Sequence, residues 1–298
     1  MNAVSIPADS VRQLRERTGA GMMECKKALV EAHGDLEAAA EIMRKSGLAR
    51  ADKKAARIAA EGIVVFAGAA GGRAGVLVEV NCETDFVARE ADFAAFAREV
   101  ADVALASGVV DLASLLTRAG ADGVTLEERR RALIARIGEH ISVRRLARLE
   151  ASGVLGSYLH GTRIGALVAL EGGDAALARE LAMHVAALNP QYVDAGAVPA
   201  EQVEKERGIL LAQAAGEGKP AAIVQKMVEG RLRKFLAEIT LVGQPFVKDP
   251  ETTIEQLLKR SAAKVSAFAR LEVGAGIEKK REDFAAEVMA QVKGSEQR

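Results

Sequence analysis

Apolar and polar positions alternate along the chain in patterns that predict many of its strands and helices. Residues 76–80 form an apolar run typical of a strand, and a Thr84-Asp85 pair follows ahead of a helical stretch. A Thr or Asp immediately before a helix commonly acts as its N-cap, since the side-chain oxygen accepts an otherwise unpaired backbone N–H. The pattern therefore predicts a strand, a short connection and a helix, with the large apolar side chain of Phe86 at the helix tip.

The same order of elements occurs a second time. Residues 163–170 (Arg-Ile-Gly-Ala-Leu-Val-Ala-Leu) match 73–80 (Arg-Ala-Gly-Val-Leu-Val-Glu-Val) at an offset of 90, and 178–182 match 97–101 at an offset of 81. The first copy therefore carries nine more residues between strand and helix, the difference between those offsets. Residues present in only one of two copies are not needed by a shared core, and they usually form a surface projection.

Asp85 and Phe86 belong to that extra stretch, and two interpretations of them stay open. Surface projections often carry function, which makes both residues candidates for a partner-binding site. The alternative is structural: Asp85 is an ordinary helix cap, and Phe86 is a hydrophobic staple packed on the chain's own core.

The first 47 residues predict three short helices. Cys25 and Leu29 share one face of the second helix, Asp35 is expected to cap the third, and Gly47 is expected to end it. A bundle of this size buries little apolar area, so it is typical of a docking module.

Beyond the second copy the pattern becomes helical and then mixed. Residues 200–215 and 220–235 predict an antiparallel helical hairpin, which either associates with a second copy or packs back on its own core. The following residues predict strands at 238–242 and 267–273 and a helix at 254–260. The last predicted helix is amphipathic, and its apolar positions are Phe284, Val288 and Val292.

Composition and charge narrow the function classes. The chain has 298 residues, with 41 Lys and Arg against 41 Asp and Glu, eight Phe, two Tyr and no Trp. A net charge of zero and so few aromatic residues argue against bulk attraction to nucleic acid or a base-stacking platform. The basic stretch 50–57 keeps one alternative open, an RNA-binding or scaffold protein, although a solvated linker helix also fits it.

Patterns typical of catalysis or metal binding are not found. There is no phosphate-binding loop of the Gly-x-x-x-x-Gly-Lys type, and the four histidines and two cysteines show no metal-ligand spacing. We therefore expect no metal, no cofactor and no enzymatic bond chemistry. The absence of a long apolar run or a signal sequence predicts a cytoplasmic protein without a membrane segment.

Two long segments resemble the bacterial translation elongation factor Ts family. They are LRERTGAGMMECKKAL at 14–29 and EVNCETDFVAR at 79–89. Shorter matches follow in family order along nearly the whole chain, at 43–47, 160–165, 183–187, 243–247 and 284–288. The Thr-Asp-Phe-Val segment shows no departure from the family pattern.

The resemblance implies a guanine nucleotide exchange factor for elongation factor Tu. It implies that Thr84, Asp85, Phe86 and Val87 reach the magnesium side of the nucleotide site on that partner. Further partner contacts are implied for Arg12, Met22, Met23, His160, Met183 and His184. The helical hairpin at 199–235 would form a homodimer or a complex with two copies of each protein.

The fold class expected from pattern and resemblance together is α+β. It comprises an N-terminal three-helix bundle, a duplicated two-subdomain α/β core with antiparallel sheets, an inserted helical hairpin and a C-terminal helix module. The expected boundaries are a ubiquitin-associated-like domain at 1–54, a first core subdomain at 55–150, a second at 151–198 and 236–276, the hairpin at 199–235, and the C-terminal module at 277–298.

Overall fold

The computed structural model describes residues 6–215 and 220–278, with the backbone alone for 47–53 and 215. The predicted terminal helix with Phe284, Val288 and Val292 lies outside the described residues, and so does the turn at 216–219. The α+β fold class is confirmed, because helices and antiparallel sheets alternate along the described chain.

The helices are α1 (Ala8–Thr18), α2 (Met22–Glu31), α3 (Leu36–Lys54), α4 (Asp85–Ala88), α5 (Ala91–Ser107), α6 (Leu112–Leu116), α7 (Leu126–Ile137), α8 (Ala175–Leu188), α9 (Ala200–Ala215), α10 (Ala221–Ile239) and α11 (Ile254–Arg260). The strands are β1 (Glu61–Gly68), β2 (Ala74–Cys82), β3 (Ser142–Glu150), β4 (Val154–His160), β5 (Ile164–Glu171), β6 (Pro245–Phe246), β7 (Asp249–Thr253) and β8 (Lys264–Glu272).

Helices α1 to α3 pack around a small core that includes Leu14, Cys25 and Leu29. Asp35 caps α3 as predicted, because its Oδ1 accepts the N–H groups of Glu37 and Ala38 at 2.8 and 3.0 Å. The predicted end at Gly47 is wrong, since α3 continues to Lys54. A glycine inside a helix costs only about 1 kcal/mol, and the packing of α3 against α7 readily offsets that cost.

The core consists of two three-stranded antiparallel sheets with the same plan. The first has the order β1-β2-β3 and the second β4-β5-β8. The register of β2 against β3 shifts between Glu79 and Val80, and that of β5 against β8 shifts between Ala169 and Leu170. These two irregularities obey the same 90-residue offset as the sequence repeat, so the duplication includes local backbone detail.

The duplication extends further than the sequence patterns indicated. Strand β3 reads SVRRLARLE and β8 reads KVSAFARLE, and both end in Ala-Arg-Leu-Glu. The helix before each of them begins with a capping box, Thr125 with Glu128 in α7 and Thr253 with Gln256 in α11. With α9 and α10 inserted into the second unit, the strands of this half lie at an offset of 122 and the capping boxes at an offset of 128, so a comparison at one fixed offset does not find them.

The two sheets pack face to face around Val64, Leu77, Leu167 and Leu271. A Cβ at Gly165 would lie 2.7 Å from Cγ1 of Val64, so this position brings the sheets closer than a side chain would permit. Helices α5 and α7 cover the outer face of the first sheet, and α8 and α11 cover the outer face of the second. Strands β2 and β5 are therefore buried on both faces.

The segment after the hairpin differs in part from expectation. The predicted strand at 238–242 is wrong: α10 runs through residue 235 to Ile239, and its end is closed by the Thr240 hydroxyl, which donates to the Leu236 carbonyl at 2.7 Å. The helix at 254–260 is confirmed, and the strand predicted at 267–273 is found as β8, displaced toward the N-terminus.

Helices α9 and α10 pack against each other through Leu210, Ala214, Val228 and Leu232.

A buried carboxylate joins the two sheets. Glu79 on β2 is fully buried, pairs with Arg144 at 3.1 Å and with Arg145, and accepts the Gly274 N–H at 2.8 Å from the segment that follows β8. Burial alone would raise the pKa of Glu79, but the Arg145 guanidinium, the Gly274 amide and Arg144 together hold that pKa below its usual range. The side chain is therefore ionised and satisfied between the units.

We predict that Glu79→Ala lowers the free energy of unfolding by about 3 kcal/mol, because it removes one partner of a buried ion pair and leaves the arginines uncompensated. Glu150→Ala is the matched control, since the Glu150 side chain is 67% exposed in its pair with Arg148 and should contribute less than about 1 kcal/mol. Urea unfolding followed by circular dichroism measures both values. Equal losses in the two variants would contradict the prediction.

Candidate functional site

Residues 84–87, called the tip below, form the projection between β2 and α5. Thr84 is the N-cap of α4, and its hydroxyl oxygen accepts the Val87 N–H at 3.4 Å. Val87 points inward and is buried in the core under the first sheet, whereas Phe86 is 78% exposed. This exposure excludes the interpretation of Phe86 as a staple on the chain's own core.

The base of the tip is held by a carboxylate from the turn between α7 and β3. Glu139 Oε2 accepts the N–H groups of Glu83 and Thr84 at 3.1 and 3.0 Å, and Oε1 accepts the Thr84 hydroxyl at 2.6 Å. In return Glu83 Oε1 accepts the His140 N–H at 2.6 Å. The sequence analysis did not identify Glu139, because no local pattern links residues that far apart in the chain.

The described end of the basic stretch lies against the same turn. Lys54 Nζ donates to the Gly138 carbonyl, and Arg57 lies 3.4 Å from a carboxylate oxygen of Glu83. The Arg57 carbonyl is 2.8 Å from the ring Nδ1 of His140. These two basic residues therefore make contacts within the chain.

Asp85 is exposed on the tip beside Phe86. Its carboxylate is 2.8 Å from the Arg89 guanidinium, in a pair whose side chains are 50% and 78% exposed. A surface ion pair of this kind contributes about 0–1 kcal/mol. Asp85 can consequently exchange Arg89 for another partner at little cost.

The two cysteines are buried and not paired with each other. Cys82 ends β2 beneath the tip, and its thiol donates to the Thr84 carbonyl at 3.1 Å. Burial, with the nearby Glu139 carboxylate, raises the pKa of the Cys82 thiol to about 12. A thiol that stays protonated at neutral pH is a poor nucleophile, so Cys82 supports the tip structurally.

The other predicted partner contacts lie on separate elements. Arg12 on α1 is exposed, as are Met22 and Met23 at the start of α2, which are 59% and 76% exposed. His160 is exposed at the end of β4, where its ring lies against Tyr158 with centroids 6.3 Å apart. Met183 on α8 is half-buried. All five offer at least part of a side chain to a partner.

The structure contradicts a direct partner contact for His184, which is fully buried. Its Nε2 is 3.0 Å from Gln244 Oε1, and its Nδ1 accepts the Val247 N–H at 3.2 Å. These partners require a neutral ring with the proton on Nε2. His184 lies on the face of α8 that holds the 244–247 turn, and it acts on that turn rather than on a surface.

Within residues 6–215 and 220–278, no group of three or more His, Cys, Asp or Glu side chains is placed to hold a metal ion. In the same described part of the chain, no helix is both long enough and apolar enough to cross a membrane.

Comparison with known proteins identifies one family. The sequence model described as "Elongation factor TS" matches residues 83–275, a span that includes the whole tip. A protein called "Elongation factor Ts" from Thioalkalivibrio sulfidiphilus is 58% identical over 294 residues, covering 98% of this chain and 100% of its own. Proteins of the same name from Halorhodospira halophila and Methylococcus capsulatus are 59% and 58% identical, each over 98% of this chain and 100% of its own.

We predict that His184 makes stability depend on pH. Burial lowers the pKa of His184, and the Gln244 hydrogen bond opposes this only in part. Below about pH 6.5 the unfolded chain therefore binds a proton that the folded chain does not, and the free energy of unfolding falls, by at most about 1.4 kcal/mol per pH unit.

His184→Asn removes the titrating group but leaves all others in place. The variant should be less stable than the parent protein at pH 7.5, and this difference should shrink as the pH is lowered to 5. Urea unfolding across that range gives both curves, and curves that stay parallel would refute the assignment.

Proposed function

The chain belongs to the elongation factor Ts family and is a guanine nucleotide exchange factor for elongation factor Tu, and we propose that the tip is the segment that opens the partner's nucleotide site. An exchange factor accelerates dissociation of a bound nucleotide and makes or breaks no covalent bond. The observation that supports the proposal is the exposure of Phe86. This large apolar side chain lies in solvent on a turn that hydrogen bonds to Glu139 hold in place. Burying such a side chain against a partner yields about 1.5–3 kcal/mol.

The physical mechanism follows from how GTPases hold their nucleotide. The phosphates and a bridging Mg²⁺ provide most of the grip on GDP. Phe86 acts as a wedge beside a packed helix of the partner, and packed interfaces switch between discrete arrangements rather than deforming continuously. Displacing the groups that support the metal weakens the hold on the phosphates, and GDP leaves.

Linkage makes the exchange reversible and catalytic. If this chain lowers the affinity of the partner for GDP, then bound GDP lowers the affinity of the partner for this chain by the same factor. Incoming GTP therefore expels the exchange factor, which is free to act on another molecule of elongation factor Tu. We place this cycle in the cytoplasm, where translation occurs.

Exposed or partly exposed residues outside the tip provide the remaining affinity in this proposal. They are Arg12, Met22 and Met23 on the N-terminal bundle and His160 and Met183 on the second half of the core. The alternative of an RNA-binding or scaffold protein using 50–57 is not favoured, since the family is that of an exchange factor and the charges of Lys54 and Arg57 face the turn at 138–140 and Glu83.

We predict that Phe86→Ala slows GDP release more than it weakens binding. The wedge is used when the nucleotide site opens, so the maximal release rate should fall about tenfold, which corresponds to about 1.4 kcal/mol. The measurement is stopped-flow release of fluorescent GDP from elongation factor Tu at increasing concentrations of this protein, with a binding titration alongside.

Val110→Ala is the matched control for removing an exposed apolar side chain. Val110 is 64% exposed and follows the far end of α5, some 25 Å along the helix from the tip. Release at the parental rate with Phe86→Ala would refute the proposed role of the tip, and an equal loss with Val110→Ala would make the effect non-specific.

We also propose that the helical hairpin joins two copies of the chain. Three apolar side chains on its described part are 43–48% exposed: Ile209, Leu211 and Ile223. The apolar surface of one hairpin can pack against the same surface of a second copy, which gives an isologous dimer.

The prediction is that Leu211→Gln combined with Ile223→Gln weakens self-association at least about tenfold, since the changes place polar groups in an apolar contact. Analytical ultracentrifugation over a concentration series measures it, alone and with elongation factor Tu. Val247→Gln, 39% exposed but outside the hairpin, is the control. A parent protein that stays monomeric throughout would refute the dimer.

A further inference from the structure

One carboxylate carries most of the hydrogen bonds that orient the tip. Glu139 accepts three donors at once, the N–H groups of Glu83 and Thr84 and the hydroxyl of Thr84, at 2.6–3.1 Å. Hydrogen bonds to an ionised acceptor are shorter and stronger than neutral ones. The Thr84 hydroxyl oxygen also accepts the Val87 N–H, so the carboxylate acts through Thr84 on the only turn of α4.

The position of Glu139 is itself fixed. Gly138 ends α7 in the left-handed conformation with φ of 88°, which a residue with a side chain would disfavour. The Gly138 carbonyl accepts a hydrogen bond from the Lys54 ammonium. His140 then donates its N–H to Glu83 at 2.6 Å. Segments 83–84 and 139–140 thus hold each other reciprocally, each offering a carboxylate to backbone N–H groups of the other.

Apart from the end of β2 and the Cys82 thiol, which donates to the Thr84 carbonyl at 3.1 Å, few contacts determine the direction of the tip. Helix α4 has four residues, too few for helix propensity to hold it, and Val87 is its only buried side chain. The Asp85–Arg89 pair is exposed and lies within the tip region itself. Glu139 is therefore the side chain outside β2 and the tip that does most to set where Asp85 and Phe86 point.

We propose that Glu139 is the positioning residue of nucleotide exchange: it holds the base of the tip so that Phe86 meets the partner in a preset orientation. The inference rests on the proposed role of the tip. Ordering a loop before binding avoids the entropic cost of ordering it in the complex, and small misplacements of an acting group reduce rates strongly. Glu139 need not touch the partner to have this effect.

The kinetic test uses Glu139→Ala, Glu139→Gln, Thr84→Val and the double variant Thr84→Val/Glu139→Gln in the fluorescent GDP release assay. Glu139→Ala should lower the maximal release rate about tenfold while the half-saturating concentration changes less than about threefold. Glu139→Gln keeps one acceptor oxygen and should be intermediate. Because both residues act through one contact, the double variant should be no slower than the slower single variant.

A structural readout separates positioning from general stability. Amide hydrogen exchange of Glu83, Thr84 and Val87 in the free protein should accelerate at least about tenfold in Glu139→Ala, while the melting temperature stays within a few degrees of the parent. Glu255→Gln, an exposed carboxylate paired with Lys259, is the control and should change neither readout. Should Glu139→Ala fail to fold, Glu139→Gln provides the same comparison.

The outcomes distinguish the inference from the function on which it rests. Slow release with Phe86→Ala but parental release with Glu139→Ala overturns the positioning role alone. Parental release with Phe86→Ala overturns the role of the tip. A raised half-saturating concentration at an unchanged maximal rate, or unchanged amide exchange at Glu83 and Thr84, also overturns the positioning role.

Discussion

Strand β2 is covered on both faces, by α5 on one side and by the second sheet on the other, and this double coverage sets the geometry of everything attached to it. Leu77 packs between the sheets, Val78 packs under α5, and Glu79 connects the strand to the segment after β8. A strand fixed in this way gives its C-terminal end a fixed direction. The tip begins two residues after that end, so its orientation inherits the rigidity of the core.

The duplicated plan explains why the projection exists in one unit and not in the other. In the second unit, residues 172–174 join β5 to α8 directly, and Gly172 and Gly173 lie close to Ala262 and Ala263 before β8. In the first unit, residues 83–90 occupy the corresponding connection, and the turn at 138–140 supports them from the side. The second unit carries its own addition, the α9–α10 hairpin, at another place. Each copy keeps the shared core and differs where an insertion does not disturb it.

Local patterns predicted the elements that they encode. The apolar runs of β2 and β5, the Asp35 cap and the helix at 254–260 follow from periodicity and capping chemistry. The internal repeat and the resemblance at 79–89 both predict a site at Asp85 and Phe86. Other features depend on tertiary contacts. Strand β3 is rich in arginine, because Arg144 and Arg145 pair with Glu79, and its sequence therefore lacks a simple apolar alternation. Glu139 and the buried position of His184 depend on residues more than 50 positions away.

The place of the hairpin in the second unit has a consequence for synthesis on the ribosome. The first sheet is complete once residue 150 is available, since β1, β2 and β3 all lie before it. Strand β5 can pair with β4 early, but its other partner, β8, begins at Lys264, after the whole hairpin has been made. Strands that are far apart in the sequence pair slowly, and an unpaired strand edge can associate with other chains in the meantime. We therefore expect the nascent chain to complete its first sheet before its second, and Glu79 to receive the Gly274 N–H only after residue 274 has been made.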